Sequence, residues 1–289
     1  MGHAGVPHFF YSPSSKRSAC IMQQRFPIAA ATFKGGMRDK FLLGLGIVSL
    51  LLVCTMPVFG SFSMRDVTGA ATTYGLSLVS AFGVLLVIFI GGTLIPRDIQ
   101  SRSIYSAVTL PVSRTRYLLE KYLGLAQLLG YSMAALGVVN LGALALMASM
   151  YPPDKPLAWG NYLVYLFFDL EKLLVLAAVL IFFASIATSA FLPQVLTVAV
   201  YAIGLTTEKV KLYVESAEGA KHISPALKVV VQWLYYICPN LSPFDFKVQM
   251  IYALPVDPKI MLLALLYGTG YIVVMLVLAS FAFSRRDFV

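Results

Sequence analysis

Charged residues are scarce in this chain. Of its 289 residues, 59% are hydrophobic and only 12% are Asp, Glu, Lys or Arg, whereas about 25% of the residues in an average soluble domain are charged. The mean hydropathy of +0.81 shows that the deficit is not confined to one buried patch. The composition excludes an ordinary soluble protein, a disordered protein and a collagen-like protein. It indicates a membrane protein that crosses the bilayer several times.

Cysteine and histidine are too few and too scattered to predict a site. The three cysteines, Cys20, Cys54 and Cys238, form neither a CxxC pair nor a disulfide framework. The three histidines lie outside the apolar runs, so we expect no buried metal site. The sequence contains no GxxxxGK[ST], HExxH or GxSxG motif. We therefore expect no catalytic residues, no metal and no cofactor bound by this chain, and we do not expect an enzyme.

Long uncharged runs dominate what is present. Twenty helical residues extend about 30 Å, the thickness of a bilayer core. The run from Leu173 to Thr207 has 35 uncharged residues, too many for one crossing, and Pro193 after a small polar cluster predicts a turn within it. The predicted spans are Phe41–Gly60, Tyr74–Ile95, Tyr122–Met150, Leu163–Ala187, Ser189–Thr207 and Ile260–Phe283.

These runs predict an all-α integral membrane protein with six transmembrane helices over residues 41–283. We expect residues 1–20 to be disordered and residues 284–289 to form a short tail. Residues 21–40 mix apolar and basic side chains, which predicts an interfacial connecting helix, although a solvated linker fits the periodicity equally well. Val229–Ile237 is apolar but too short to span, so a re-entrant or interfacial segment is expected before the last span. Pro96 closes the second uncharged run and suits a helix start or break.

The basic residues predict an orientation. The formal net charge is +9. In a six-span arrangement, one side carries both termini and the loop between spans two and three, with 13 Lys and Arg against 8 on the other side. The positive-inside rule then predicts a multi-pass protein of the cytoplasmic membrane with both termini in the cytoplasm. A five-span alternative stays open, because the lysines of residues 208–259 favour a cytoplasmic position. No basic stripe occurs, so we expect the lipid bilayer and no nucleic acid as a partner.

The loop between the second and third spans has the clearest local pattern. Asp98 and Arg102 are four residues apart, which allows an ion pair on one helical face. Pro111 would end that helix, and Ser113 is placed to cap the next one, which carries Arg114. One interpretation is a solvated loop that obeys the positive-inside rule. The other is a rigid helix that receives force from a soluble partner.

Three ionisable residues, Asp169, Glu171 and Lys172, fall inside the fourth predicted span. Ionisable residues within a span are costly and often functional. One interpretation is interface anchoring, in which Asp169 or Glu171 pairs with Lys172 or the side chains snorkel to the membrane surface. The other is a role in binding a substrate or an ion.

Several short segments resemble a known family. Asp98-Ile-Gln-Ser-Arg-Ser-Ile104, Thr109-Leu-Pro-Val-Ser-Arg114 and Glu120-Lys121 are similar to the first cytoplasmic loop of ABC transporter permeases of the type-2 (exporter) class. Arg102 stands where that family usually has Gly, which favours a continuous helix. The lead-in at residues 31–40 resembles the family's connecting helix. Cys238–Phe244 resembles the segment between its last two spans, and residues 285–288 resemble its ending.

The resemblance implies the permease subunit of an ATP-driven exporter. It would pair with a second permease subunit, in a homodimer or a heterodimer, while a separate soluble ABC ATPase subunit binds ATP and Mg²⁺. The conduit would form from the second and fifth spans of the two copies, and a short cytoplasmic coupling helix from Arg97 to Ser106 would contact the ATPase. An ion-gradient-driven secondary transporter or channel is the alternative, and a membrane scaffold is a third hypothesis. The expected ATPase-coupling residues are Arg97, Asp98, Gln100, Arg102, Ser103, Tyr105, Pro111 and Arg114.

Overall fold

The chain folds into a bundle of long helices, and no strand occurs among the residues described by this computed structural model. For residues 97–100 and 215 the description covers the backbone alone. The predicted disordered start (residues 1–20), most of the predicted re-entrant segment and the tail from residue 286 lie outside the described residues. The described residues are 26–63, 66–100, 113–152, 158–187, 189, 191–216, 232–233, 235 and 238–285.

Ten α-helices occur in these ranges. A π-helical segment, Val87–Gly91, joins α4 to α5, and a short 3₁₀ turn, Ser242–Phe244, precedes α9. The helices are α1 Pro27–Met37, α2 Lys40–Cys54, α3 Met56–Ser61, α4 Val67–Leu86, α5 Gly92–Gln100, α6 Arg114–Met150, α7 Trp159–Ile186, α8 Phe191–Glu215, α9 Lys247–Ile251 and α10 Pro258–Ser284.

Five helical stretches are long and apolar enough to cross a membrane, which supports a multi-pass membrane protein. Their outer surfaces carry exposed aliphatic and aromatic side chains such as Leu51 on α2 and Leu263 on α10, as expected for helices that face lipid. The five stretches are Lys40–Ser61, Val67–Pro96, Arg114–Met150, Phe191–Val214 and Pro258–Ser284. The predicted fourth span, α7, is not among them because it contains three ionisable residues.

Local sequence explains several helix starts. The Asp39 carboxylate accepts a hydrogen bond from Phe41 N at 2.8 Å, and the Asp257 carboxylate accepts one from Lys259 N at 2.9 Å. Each carboxylate thereby satisfies a backbone N–H group that the first turn of its helix leaves unpaired. Pro57 falls in the first turn of α3. Because it has no N–H group to donate, it separates α2 from α3 within the first crossing.

The second candidate span ends at Pro96 as expected, but the helix start or break expected there does not occur. The helix continues through Pro96 to Gln100, so α4, the π-helical segment and α5 form one continuous path. Pro96 cannot donate to the carbonyl of Gly92, and a π-helical turn lies immediately before that residue. Gln194 of α8 packs directly on Gly92, where an added Cβ would lie 2.5 Å from Gln194 Cγ. Membrane helices tolerate proline where neighbouring helices and local π adjustments compensate for the lost bond.

α7 occupies the centre of the bundle and packs against α4, α5, α6, α8 and α10. Three of its leucines, spaced seven residues apart, each lie against a glycine of another element. An added Cβ at Gly137, Gly83 or Gly91 would meet Leu166, Leu173 or Leu180 at 2.8, 2.2 and 2.5 Å, respectively. Small residues let membrane helices approach closely. The glycines therefore determine how near α4 and α6 come to α7.

α1 packs against α6 through a similar close approach. An added Cβ at Gly124 of α6 would lie 2.7 Å from the carbonyl oxygen of Ala29 and 2.6 Å from Cβ of Thr32. These atoms belong to backbone or to the base of a side chain, so they cannot move away without shifting α1. The contact therefore requires glycine at this position.

We expect Gly124→Ala to weaken the docking of α1. Overpacking costs about 1–3 kcal/mol, which should lower the melting temperature of the purified protein by about 2–10 °C. Gly142→Ala on the same helix is the matched control, because a Cβ there meets nothing within 4 Å. Thermal unfolding in detergent measures both variants, and equal stability of the two would contradict the assigned packing.

Candidate functional site

The three ionisable residues of α7 lie inside the helix bundle. Asp169 is 0% exposed, Lys172 is 6% exposed and Glu171 is 8% exposed. The Lys172 ammonium donates to the Asp169 carboxylate one turn away. It also donates to Ser80 Oγ on α4 at 2.8 Å. Of the two pairings that the sequence left open for Lys172, the structure has the one with Asp169. The side chains do not reach the bundle surface as interface anchoring requires.

The buried pair is only partly satisfied. Asp169 Oδ1 accepts from Lys172, but Asp169 Oδ2 is buried and has no hydrogen-bond partner among the described residues. A buried polar atom without a partner costs about 1–3 kcal/mol. The pair compensates for most of the burial of its two charges, and it leaves one acceptor atom in the centre of the bundle.

Glu171 points to a different helix. Its carboxylate accepts a hydrogen bond from Thr269 Oγ1 of α10 at 3.4 Å. An added Cβ at Gly268 would lie 2.9 Å from Glu171 Oε1, so the carboxylate packs on the backbone of α10. The three neighbouring residues therefore contact different helices. Lys172, paired with Asp169, connects α7 to α4, while Glu171 connects α7 to α10.

Two tyrosines extend this polar face of α7. Tyr162 OH donates to the Gly137 carbonyl at 2.7 Å and also lies 3.1 Å from Asn140 Oδ1, both on α6. Tyr165 OH donates to the Leu76 carbonyl of α4 at 2.8 Å. Sequence reasoning missed both tyrosines. The signal was the alternating spacing of three and four residues from Tyr162 through Tyr165 and Asp169 to Lys172, which places all four on one helical face.

A second group of polar contacts lies at the start of α6. Ser113 Oγ accepts from Arg116 N at 3.3 Å, so the predicted N-cap is confirmed. The end of α10 docks beside it: Arg114 donates to the Ser284 carbonyl at 3.0 Å, and Ser280 donates to Thr115 Oγ1 at 2.9 Å.

Glu120 connects α1 to the same region. It is only 1% exposed. Its Oε1 accepts from Arg116 Nε at 2.9 Å, and its Oε2 accepts from Ile28 N at 2.9 Å. The carboxylate thus satisfies an N–H group in the first turn of α1, where a negative charge also interacts favourably with the helix dipole. Three regions far apart in sequence, α1, the start of α6 and the end of α10, meet at this point.

Some of the expected coupling residues lie within described helices. Arg97, Asp98 and Gln100 are in α5, which continues directly from α4. Arg114 is in the first turn of α6. The segment between them therefore connects two long helices of the bundle. The others, Arg102, Ser103, Tyr105 and Pro111, lie outside the described residues.

Residues 238–244 connect α8 to α10. Leu241 N donates to the Gly204 carbonyl of α8 at 3.0 Å, and Asn240 N donates to Tyr267 OH of α10 at 2.8 Å. Asn240 Nδ2 also donates to Glu208 of α8 at 3.2 Å. Phe244 is fully buried beside Gly268. This segment holds the two helices together before α10 begins.

The chain matches no known protein-family model and no curated protein sequence. Among the described residues, no group of three or more His, Cys, Asp or Glu side chains is arranged to hold a metal ion.

We expect Lys172→Met to destabilise the protein strongly. The substitution leaves the Asp169 charge buried without its partner, and breaking a buried ion pair from one side costs about 3–5 kcal/mol. Thermal unfolding in detergent should show a large fall in melting temperature. The double variant Asp169→Leu with Lys172→Met should recover much of the loss, because no unpaired charge remains.

Lys209→Met on α8 is the control, since Lys209 is exposed and its removal should change stability by no more than about 0.5 kcal/mol. The assigned pair would be contradicted if the Lys172 and Lys209 variants unfolded at the same temperature.

Proposed function

We propose that the chain is the membrane-spanning permease subunit of an ATP-driven exporter of the type-2 class. It resides in the cytoplasmic membrane with both termini in the cytoplasm and pairs with a second permease subunit. A separate soluble ATPase binds ATP and Mg²⁺ and pushes on the segment from Arg97 to Ser106. The order of elements supports this arrangement: a short helix precedes the first crossing, and short elements lie between α8 and α10.

The proposal includes six crossings, with α7 as the fourth. Its 28 residues extend about 42 Å, more than the thickness of a bilayer core. Its ionisable side chains have partners on α4 and α10, so they do not need to face lipid. Charged residues in membrane helices are tolerated where they face the bundle interior and pair with one another.

The observation that carries the proposal is that α1, the start of α6 and the end of α10 meet. These three elements contain or adjoin the segments that separately resemble the exporter family in sequence. α1 and α6 are joined by a hydrogen bond between residues 92 positions apart, and α6 and α10 by one between residues 170 positions apart. A push on the loop would therefore reach α1, α6 and α10 as a connected unit.

A path also leads from this loop to the centre of the bundle. The helix that ends at Gln100 is continuous with α4, and α4 carries Ser80, which accepts a hydrogen bond from Lys172. Movement of α4 relative to α7 would break that bond and change the surroundings of the Asp169–Lys172 pair. In this mechanism the pair senses the displacement of α4, and α4 and α8 line the conduit between the two permease copies.

One specific observation favours the alternative, an ion-gradient-driven transporter. Asp169 Oδ2 is buried without a partner among the described residues, and buried ionisable groups mark ion pathways in such proteins. The energy source separates the two functions. Complexes purified from native membranes should contain an ATPase if the exporter proposal is correct.

We expect charge reversal in the coupling segment to release that ATPase. Asp98→Arg or Arg102→Glu should lower the ATPase activity that co-purifies with the chain about tenfold or more, because like charges across an interface cost several kcal/mol. Lys259→Glu at the start of α10, an exposed position, is the control and should leave the activity unchanged. The proposal would be contradicted if complexes of the wild-type chain had no ATPase activity.

Labelling tests the proposed orientation. In a cysteine-free background, Gln100→Cys should react with a membrane-impermeant maleimide only after intact cells are permeabilised. Leu254→Cys, at a position that is 45% exposed just before α10, should react without permeabilisation, because the proposal places it outside. Reaction of Gln100→Cys in intact cells would place the coupling segment on the wrong side.

A further inference from the structure

An apolar groove opens on the surface of the bundle between α1, α2, α4 and α6. It encloses about 370 Å³. Its lining includes Met37 at the end of α1, Leu43, Gly46 and Ile47 on α2, and Tyr131 on α6. Leu43, Ile47 and Tyr131 are each more than half exposed. The groove is therefore mostly apolar and opens outward.

Cationic side chains adjoin one end of this groove. Arg38 follows the lining residue Met37, and Lys40 precedes the lining residues of α2. Both are exposed, and neither side chain has a hydrogen-bond or ion-pair partner among the described residues. Asp39 lies between them, but its carboxylate already accepts a hydrogen bond from Phe41 N. The mouth of the groove is thus positively charged.

A second apolar groove differs in this respect. It lies between the start of α6 and the end of α10 and encloses about 470 Å³. Its neighbouring cations are engaged: Arg114 donates to the Ser284 carbonyl at 3.0 Å, and the Arg285 guanidinium lies 4.1 Å from the centre of the Phe281 ring. In the described part of the chain, cations without a hydrogen-bond, ion-pair or aromatic partner therefore lie beside the α1–α2 groove and not beside the groove between α6 and α10.

We propose that the α1–α2 groove binds an anionic glycerophospholipid, with one acyl chain in the groove and the phosphate at Arg38 and Lys40. An aliphatic channel that ends at two cations is complementary to an acyl chain that ends at an anionic head group. Basic pockets between membrane helices bind such head groups. The site requires a membrane but no ATPase, so it is independent of the proposed function.

The charge at the mouth of the groove favours a lipid over a helix of a second copy. An apolar membrane helix that lay over the mouth would cover Arg38 and Lys40 without bringing a charge to compensate for theirs. A glycerophospholipid fills the groove with an acyl chain and brings an anionic phosphate to the two cations.

Filling the groove tests the acyl-chain part of the site. A Cβ at Gly46 meets nothing within 4 Å, so Gly46→Leu should fill the groove without disturbing the fold; Gly44→Leu is the matched control, because Gly44 is equally open and does not line the groove. Phosphatidylglycerol added to the detergent-purified protein should raise the melting temperature of the wild type and of Gly44→Leu by about 5 °C. Gly46→Leu should lose that increase.

Removing the cations tests the head-group part. Native mass spectrometry measures phosphatidylglycerol and phosphatidylcholine bound to each variant. Arg38→Gln with Lys40→Gln should bind phosphatidylglycerol about 30-fold more weakly, because each basic residue near the surface contributes about a factor of five. Lys259→Gln, which follows the helix-capping Asp257 at the start of α10, is the control and should bind like the wild type.

Three outcomes would overturn the proposal. One is equal stabilisation of the wild type by phosphatidylcholine and phosphatidylglycerol. Another is equal lipid binding by the Gly46 and Gly44 variants. The third is a change of oligomeric state in Gly46→Leu with lipid binding intact, which would assign the groove to a second copy of the chain.

Discussion

A polar group on a membrane helix has to find its partner inside the protein, because lipid offers no hydrogen bonds. This constraint fixes α7 within the bundle. Along one face, Tyr162 reaches α6, while Tyr165 and Lys172 reach α4. Rotation of α7 about its axis would break all three connections and turn a buried charge pair toward lipid. The polar face therefore sets the orientation of the central helix, around which the other helices pack.

Apolar packing determines how close the neighbouring helices come to α7. The heptad-spaced leucines Leu166, Leu173 and Leu180 lie against glycines of the neighbouring elements, so α7 contacts their backbones directly. Since the hydrophobic effect contributes little between helices in lipid, close van der Waals contact and hydrogen bonds between helices have to stabilise the bundle. α7 combines both kinds of contact along its length.

The start of α6 has a comparable role at the edge of the bundle. Glu120 holds α1 by its first turn, and Arg114 holds the end of α10. The proposed lipid groove lies farther along α6, from Tyr131 onward, where α6 adjoins α1, α2 and α4. A lipid bound there would contact α1 and α6 at once. The proposed ATPase contact and the proposed lipid would therefore both act on the unit formed by α1 and α6.

Features that depend on neighbouring residues were predictable from the sequence. These include the helical membrane architecture and the Ser113 cap, since each is set by an apolar run or a cap position. The sequence left open whether Asp169 or Glu171 pairs with Lys172, and the structure has Asp169. The cap at Ser113 also predicted that the helix of the third span begins before the uncharged run that starts at Tyr122, and α6 does begin at Arg114. What the sequence did not show is that Glu120, within this first part of α6, also binds α1.

The sequence by itself determined that this chain is an all-α membrane protein and which charges adjoin on α7. Only the tertiary structure decided that the helix continues through Pro96, that Ser80 binds Lys172 and that Glu120 caps α1. The reason is physical. Hydropathy, capping and one-turn pairing act between residues that the chain already holds close together, whereas the other partners lie about 90 positions away and meet only after the helices have rotated and packed.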